Sequence, residues 1–262
     1  TTVAMRSVPV RLGVFAAILT AAFFAAFAIG NLGSDDAEAT VAIGAPVRPT
    51  DSSDGYGVVI EDYALADGQP QYTVHIEHHG GMAVTDFSAA NGARVHAFVV
   101  RPDLSEFQHL TPAVADDGRI KVPVPARGPW HLVFTFVPAG GSAITLAQEV
   151  TDSAPYDEQV LPAAADTATV GDLQVTRVGW RFTVTDTDGA TPAGLATYLG
   201  RGAHLVAFRE TDLAGSYLVT EGGSLGDYDF GTGITSAGTY RVFLQFGLDG
   251  DVVTIPMTVV VP

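Results

Sequence analysis

The 262-residue sequence has no cysteine and few basic residues. The absence of cysteine excludes disulfides, thiolate metal sites, cysteine nucleophiles and lipid attachment through an N-terminal cysteine. Only 13 Lys and Arg residues oppose 29 Asp and Glu, and the formal net charge of −16 opposes binding to the phosphate backbone of nucleic acids. The sequence also lacks a Gly-x-Ser-x-Gly nucleophile motif. These absences together favour a non-catalytic protein with no nucleic-acid partner.

One long apolar run stands near the N-terminus. Leu12–Gly30 is 19 residues without a charge, and as a helix it would extend roughly 28 Å, close to the thickness of a bilayer core. Arg6 and Arg11 precede the run and acidic residues follow it, so the positive-inside rule places residues 1–11 in the cytoplasm. We predict a single transmembrane helix over 12–30 with everything after it outside the cell membrane.

A cleaved signal peptide is the alternative interpretation of this run. Ala37, Glu38 and Ala39 form an A-x-A-like cleavage site, although signal-peptide apolar regions are usually only about 7 to 15 residues long. Residues 31–54 are rich in Asp, Ser, Ala, Pro and Gly and have no hydrophobic periodicity, which predicts a linker.

The remainder of the chain contains two copies of one module. Arg94–Leu104 (RVHAFVVRPDL) recurs as Ala203–Leu213, and Gly128–Phe136 (GPWHLVFTF) recurs as Gly238–Phe246. The offset between the copies stays within 108 to 110 residues, which indicates internal duplication. We predict module 1 over 55–151, a linker over 152–166 and module 2 over 167–262.

The sequence patterns of both modules predict antiparallel β-sandwiches. About seven short segments in each alternate apolar and polar residues, with turn signals such as Asp67-Gly68 and Asp249-Gly250 between them. In module 2 the first of these predicted strands runs continuously over 168–178. His131 and Arg241 alternate with aromatic core residues, so they are expected to face water. The predicted fold class is all-β, with two tandem sandwiches behind one N-terminal transmembrane helix.

The paired segments resemble a family of membrane-anchored, largely uncharacterised extracytoplasmic bacterial proteins with tandem immunoglobulin-like or cupredoxin-like modules. Gly202–Leu213 (GAHLVAFRETDL) and Ala237–Phe246 (AGTYRVFLQF) carry the resemblance, which covers about residues 56–262. An HVHP motif of that family is degenerate in this chain. Gln108–Pro112 keeps only the first histidine of the motif, and Tyr217–Glu221 keeps neither.

Six of the seven histidines lie in module 1, which makes that module the candidate metal site. His96 and His109 fall on neighbouring predicted strands, and a third ligand would come from His75, from His78 or from the loop at 116–117. Imidazole suits copper and zinc.

Three other interpretations of the histidines remain open. His75, Glu77 and His79 would share one face of a strand and could form their own ligand set. The same pattern is also typical of a plain polar strand face. His96 and its module 2 equivalent His204 lie in apolar strands, where a buried neutral imidazole needs only a hydrogen bond with the backbone or one donated to a loop carboxylate.

The sequence therefore predicts a non-catalytic membrane-anchored ectodomain that acts as an accessory, scaffold or adhesion protein for an extracytoplasmic partner protein. The alternative is extracytoplasmic binding of copper or zinc, as a chaperone or buffer, at His96, His109, His75 and His78. No other cofactor is expected.

Overall fold

The computed structural model describes residues 43–47 and 50–262. No described residue is helical, so the all-β antiparallel fold class is confirmed for this part of the chain. None of these residues forms a helix that is long and apolar enough to cross a membrane. The predicted cytoplasmic residues 1–11 and transmembrane helix 12–30 lie outside the described residues.

The first eleven strands comprise two from the predicted N-terminal linker, β1 and β2, and nine from module 1. They are β1 (Ile43–Val47), β2 (Ser52–Ser53), β3 (Tyr56–Ala66), β4 (Gln69–His78), β5 (Met82–Ala83), β6 (Phe87–Ser88), β7 (Val95–Val100), β8 (Phe107–Leu110), β9 (Arg119–Pro123), β10 (Trp130–Pro138) and β11 (Ile144–Val150).

Nine strands form module 2. They are β12 (Thr167–Val170), β13 (Leu173–Val178), β14 (Arg181–Asp186), β15 (Leu195–Ala196), β16 (His204–Arg209), β17 (Gly215–Val219), β18 (Asp227–Asp229), β19 (Gly238–Leu248) and β20 (Asp251–Val261). The predicted strand over 168–178 is a hairpin, because the chain turns at Gly171, which has a φ of 57°.

Each module consists of two facing sheets. In module 1 the order β2-β3-β4-β5, with β9 beside β4, faces β11-β10-β7-β8, with β6 beside β10. In module 2 the order β12-β13-β14-β18 faces β17-β16-β19-β15, with β20 beside β19. The Asp-Gly pairs close hairpins as predicted: Asp67 and Gly68 have φ angles of 52° and 82°, the left-handed conformation that such turns require.

Alternation along the central strands builds one core in each module. Val95, Ala97 and Val99 point into the core of module 1, together with Trp130 and Phe134 from β10. The equivalent residues of β16 and β19 fill the core of module 2 around Leu205, Leu244 and Phe246. Two separate cores, rather than one continuous core, support the duplication.

A third apolar cluster lies between the modules, and we call it the junction cluster. Its buried members come from β7, β10, β11, β16, β17 and β19 and from the loop after β7. They are Phe98, Val100, Leu104, Val133, Ala147, Val206, Phe208, Tyr217, Val219 and Phe243, with the partly buried Phe107, Leu161 and Leu213 against them. The Phe107 and Phe243 rings stack with centroids 4.2 Å apart. Each buried Val or Phe contributes about 1.5–3 kcal/mol, so this contact holds the modules in one arrangement.

The expected exposure of His131 is therefore wrong. His131 is only 1% exposed, and its ring packs edge-on against Phe208 of module 2 with centroids 6.4 Å apart. Arg241 is half-buried and donates to Thr258 Oγ1 at 3.0 Å. Both residues point away from their own module's core, as alternation requires, but His131 meets the other module instead of water.

The predicted linker 31–54 also contains structure. β1 adds antiparallel to β17 of module 2, with Ile43 opposite Tyr217 and Val47 opposite Gly215. A few residues later the carbonyl of Thr50 accepts a hydrogen bond of 2.7 Å from Ala147 N of module 1. This segment thus contacts both modules.

The segment 152–166 has no strand, but it is attached to both modules. Asp152 accepts hydrogen bonds from Tyr63, Arg127 and the Gly128 amide at 2.6 to 2.7 Å. At the other end, Ala165 N donates to the Thr258 carbonyl at 3.0 Å. The connection therefore follows the surface of the two modules.

Candidate functional site

The structure separates the four predicted metal ligands into two groups. His75 and His78 lie on β4, whereas His96 and His109 lie on β7 and β8 of the facing sheet. His75 Nδ1 is 2.8 Å from Glu61 Oε1, and the His78 ring lies 4.3 Å from that of Tyr56. Alternation directs His75 and His96 to opposite outer faces of module 1, so these two cannot share an ion.

The other proposed ligands do not join either group. β4 ends at His78, so His79 leaves the strand and does not complete a His75, Glu77 and His79 face. Asp117 pairs with Arg119, whose Nε donates to Asp117 Oδ2 at 2.7 Å. Among the described residues, no three His, Asp or Glu side chains come together to hold a metal ion.

His96 and His109 do come together. His96 Nδ1 and His109 Nε2 are 2.9 Å apart, on neighbouring strands where His109 stands opposite Phe98. Both side chains point out of the module 1 core towards module 2, and the His96 ring also faces Tyr217 with centroids 5.1 Å apart. The pair lies at the edge of the junction cluster, where His96 is buried and His109 is half-buried against module 2.

The backbone settles the tautomer of His96. His96 Nε2–H donates to the carbonyl oxygen of Ala90 at 2.8 Å, and a carbonyl can only accept. A neutral His96 therefore has a lone pair on Nδ1, directed at His109. A ring N–H held by a backbone carbonyl is the usual support of a metal-binding imidazole, and it is equally a satisfied buried histidine.

Module 2 contributes the partner on the other side of His109. Gln245 of β19 places Oε1 2.8 Å from His109 Nδ1, while Gln245 Nε2 donates to Thr254 Oγ1 at 3.0 Å. No motif in the sequence marks Gln245 as a site residue. Only comparison of the two repeats could have indicated this residue. Gln245 stands opposite His204 on β16, at the position where Thr135 stands opposite His96 on β7.

His204 repeats the arrangement of His96 with a different partner. His204 Nε2–H donates to the Tyr198 carbonyl, six residues earlier, as His96 does to Ala90. Thirteen residues after His204, the Tyr217 hydroxyl donates to His204 Nδ1 at 2.8 Å, in the position where module 1 has His109. The equivalent site of module 2 therefore carries a phenol instead of a second imidazole.

We call His96, His109, His131 and His204 the junction histidines. Burial favours the neutral form of three of them, His109, His131 and His204. Desolvation is the largest cause that lowers the pKa of His109 well below its usual value, and the nearby His96 lowers it further. Burial also lowers the pKa of His204 and of His131 to about 4. A neutral imidazole is the form that binds metal ions.

His131 differs from the other three junction histidines. Neither of its ring nitrogens has a hydrogen-bond partner among the described residues. The nearest strand neighbours are Val100 on β7 and Glu149 on β11, both of which stand directly opposite it. His131 is therefore a polar side chain whose burial is not compensated by hydrogen bonds.

Comparisons with known proteins give a family match and similarities to solved structures. Residues 166–262 match the model of a family described as a domain of unknown function (DUF8832). The crystal structure of chicken CNTN1 FN1-FN3 domains aligns over 83% of this chain at 10% identity and a TM-score of 0.25, and the chain spans 66% of that structure's length. No curated protein sequence matches this chain.

Proposed function

We propose that this chain is a non-catalytic membrane-anchored protein whose two β-sandwich modules, of immunoglobulin-like or cupredoxin-like type, act as an extracytoplasmic accessory, scaffold or adhesion ectodomain. The observation that carries the proposal is the junction cluster. A buried contact between the outer sheet faces, together with the attached segment 152–166, makes the module pair a rigid unit. A rigid unit can present its loops to a partner protein at a constant distance and angle.

Rigidity is tested by measuring one distance across the molecule. The chain has no cysteine, so Leu65→Cys and Val178→Cys introduce the only two labelling sites, at side chains that are 57% and 77% exposed. Double electron–electron resonance on the spin-labelled pair should give one narrow distance distribution. A broad distribution, typical of two modules on a flexible tether, would contradict the scaffold proposal.

Membrane attachment is tested on the full chain with a C-terminal tag. The proposal expects the protein in the membrane fraction after carbonate washing, with the modules digested by protease added to intact spheroplasts. A tagged protein that is soluble and begins near residue 40 by mass would show that the run 12–30 is a cleaved signal peptide.

A protein partner is tested with residues 39–262 as bait against detergent-solubilised membranes. A Val206→Asp bait, in which a buried junction valine becomes charged, is the matched control for module arrangement. A partner recovered by the wild-type bait and lost with Val206→Asp supports the scaffold. Equal recovery by both baits would show that the arrangement of the modules is irrelevant to binding.

The second candidate function is binding of copper or zinc, favoured by the 2.9 Å separation of His96 Nδ1 and His109 Nε2. Two ligand nitrogens at about 2.0–2.1 Å from a shared ion can be that close together. Isothermal titration of the ectodomain with Cu(II) or Zn(II) should show stoichiometric binding that His96→Ala abolishes. His78→Ala is the control and should retain binding, and absence of binding heat for the wild type would eliminate this function.

A further inference from the structure

We infer that the outer edge of β8 is a docking site for an extended segment of a partner protein, which adds to the module 1 sheet as one further antiparallel strand. This inference rests on the proposed role as a scaffold for a partner protein. It gives that partner a surface to bind and a sequence character.

β8 forms an edge of the module 1 sheet that no other described segment covers. The other long edges of the two sheets at the junction have backbone partners. On the module 2 sheet, β17 is covered by β1, and the Thr258 carbonyl of β20 accepts a hydrogen bond from Ala165 N. On the module 1 sheet, Ala147 N of β11 donates to the carbonyl of Thr50. An uncovered strand edge is a template for addition of another strand.

The register shows which backbone groups of β8 face outwards. In an antiparallel pair of strands, opposite residues alternate between hydrogen-bonded and non-hydrogen-bonded pairs. Arg101 N donates to Glu106 O at 3.0 Å, which makes these two a hydrogen-bonded pair. Phe107 and His109 follow at one and three residues, so they occupy non-hydrogen-bonded positions. Their backbone N–H and C=O groups therefore point away from β7, where an added strand can bind them.

Module 2 contains an example of this addition. Tyr217 and Gly215 of β17 are the equivalents of the two outward-facing residues of β8. They stand opposite Ile43 and Val47 of β1, which runs antiparallel to β17 and is 5 residues long. A segment that adds to β8 in the same direction therefore ends opposite Phe107.

Charge indicates the kind of segment. The formal net charge of −16 repels a second copy of this chain and attracts a neutral or basic segment. Glu106 lies next to Phe107, where the added segment ends, and its side chain is 49% exposed although it is 3.7 Å from Arg101 Nε. In this chain, the residue after Val47 of β1 is Arg48. We expect the partner segment to be uncharged opposite β8 and to carry Lys or Arg immediately afterwards.

Gln108 of β8 adds a further requirement. It stands opposite Val99, on the face towards the module 1 core, and its Oε1 is buried with no hydrogen-bond partner among the described residues. Opposite residues of an antiparallel pair have Cβ atoms about 4.5–5.5 Å apart, so a Ser, Thr or Asn facing Gln108 can donate to Oε1. β1 has only Gly44–Pro46 at the equivalent position, without a side-chain donor. The partner segment is therefore expected to place a polar residue between its two apolar ones.

A peptide titration tests this site. Ala39–Pro262 is one compact unit in which β1 already covers β17. The probe is a peptide with the sequence of residues 39–50, which reproduces β1 and the arginine after it. At millimolar concentration it should shift the amide NMR signals of Phe107 and His109 and slow their hydrogen exchange. No shift at these two amides, or shifts at β17 instead, would overturn the inference.

Two modified peptides identify the contacts. A peptide N-methylated at Ile43 and Val47 cannot donate to the edge, so it should leave the β8 signals unchanged, and equal binding would show that the contact is not strand addition. A peptide with one threonine in place of Gly44–Pro46 should bind the wild type about 2–10-fold more tightly, the usual effect of one hydrogen bond. This advantage should disappear in Gln108→Leu, and its persistence would overturn the role of Gln108.

Further outcomes separate this inference from the scaffold role. In the pull-down with residues 39–262, excess β1 peptide should displace a recovered partner, and the N-methylated peptide should not. A partner that resists the β1 peptide would leave the scaffold role standing and overturn the β8 site. A dimer of this unit that the β1 peptide dissociates would overturn the partner protein as occupant in favour of a second copy. Recovery of no partner would contradict the scaffold role, while the titration still decides whether β8 accepts a strand.

Discussion

Single residues make the two modules differ at the junction. His96 and His204 occupy the same position and hold the same backbone contact, to the carbonyls of Ala90 and Tyr198. Their partners thirteen residues later are His109 and Tyr217, which have different hydrogen-bonding capacities. This one difference between the copies leaves His204 as a hydrogen-bonded structural histidine and makes His96 a candidate metal ligand.

Tyr217→Phe should destabilise the protein by about 1–3 kcal/mol, because the buried lone pair on His204 Nδ1 loses its hydroxyl donor. Urea denaturation followed by tryptophan fluorescence measures the change. Tyr156→Phe, on a half-buried ring of the inter-module segment, is the control and should stay within about 0.5 kcal/mol of wild type. Equal stability of Tyr217→Phe and wild type would mean that the hydroxyl is dispensable.

His131→Leu should stabilise the protein at pH 7 by about 1–3 kcal/mol, because a side chain of similar size removes two buried nitrogens without partners. Equilibrium denaturation of both proteins at pH 7 gives the difference directly. A destabilised His131→Leu would show that the imidazole has a partner in solution, such as a buried water.

The same substitution should also reduce the loss of stability in acid. Burial lowers the pKa of His131 to about 4, so between the unfolded value near 6.5 and pH 4 the unfolded chain binds a proton that the folded protein does not. The contribution of His131 is fully present above pH 6.5 and falls by about 3 kcal/mol as the pH drops to 4. The free energies of unfolding of wild type and variant, measured by denaturation across this range, should diverge as the pH falls. A parallel pH dependence would contradict the lowered pKa of His131.

At the scale of elements, the local sequence predicted strands that end at clear turns. It did not predict the strand that pairs with a distant sheet edge. The Asp67-Gly68 and Asp249-Gly250 turns were predicted, and they join β3 to β4 and β19 to β20. The strand β1 was missed because its five residues, which include Pro46, have no clear period, and their pairing partner β17 lies about 170 residues away. Such pairing depends on the other strand's free edge and not on the local sequence.

Removal of β1 should expose the edge of β17 and promote association between copies. An ectodomain that begins at residue 50 is expected to form dimers or larger species, because a free strand edge is a template for pairing with another chain. Light scattering after size-exclusion chromatography, compared with an ectodomain that begins at residue 39, measures the effect. Two monomeric proteins of equal stability would show that β1 is not needed to cover this edge.

At the scale of the whole molecule, the junction cluster converts two domains into one unit. The outer faces of β7 and β16 are buried as their inner faces are, because each packs in the junction cluster against the other module. The arrangement is close to two-fold, since His109 and Tyr217, which are equivalent, lie against each other with ring centroids 5.9 Å apart. A duplicated module can cover itself in this way, as subunits do in a symmetric dimer.

Val206→Asp should separate the modules while it leaves both cores folded, because an unpaired carboxylate cannot remain in the junction cluster. Small-angle scattering should show a larger radius of gyration, and calorimetry should resolve two unfolding transitions. Val178→Asp, at a valine that is 77% exposed, is the matched control and should behave as wild type. An unchanged radius of gyration with a single transition for Val206→Asp would show that other contacts hold the pair.

Period-two alternation, Asp-Gly turns and the internal repeat were sufficient to predict an all-β chain and the positions of most strands, because these features depend on neighbours in sequence. The repeat also pointed to His96 and His204, and the spacing of strands brought His109 to His96. The burial of His131, the contact of Gln245 with His109 and the exclusion of His75 and His78 came only with the tertiary structure. Alternation predicts which residues lie on the outer face of a sheet. What covers that face is decided by segments more than 100 residues away.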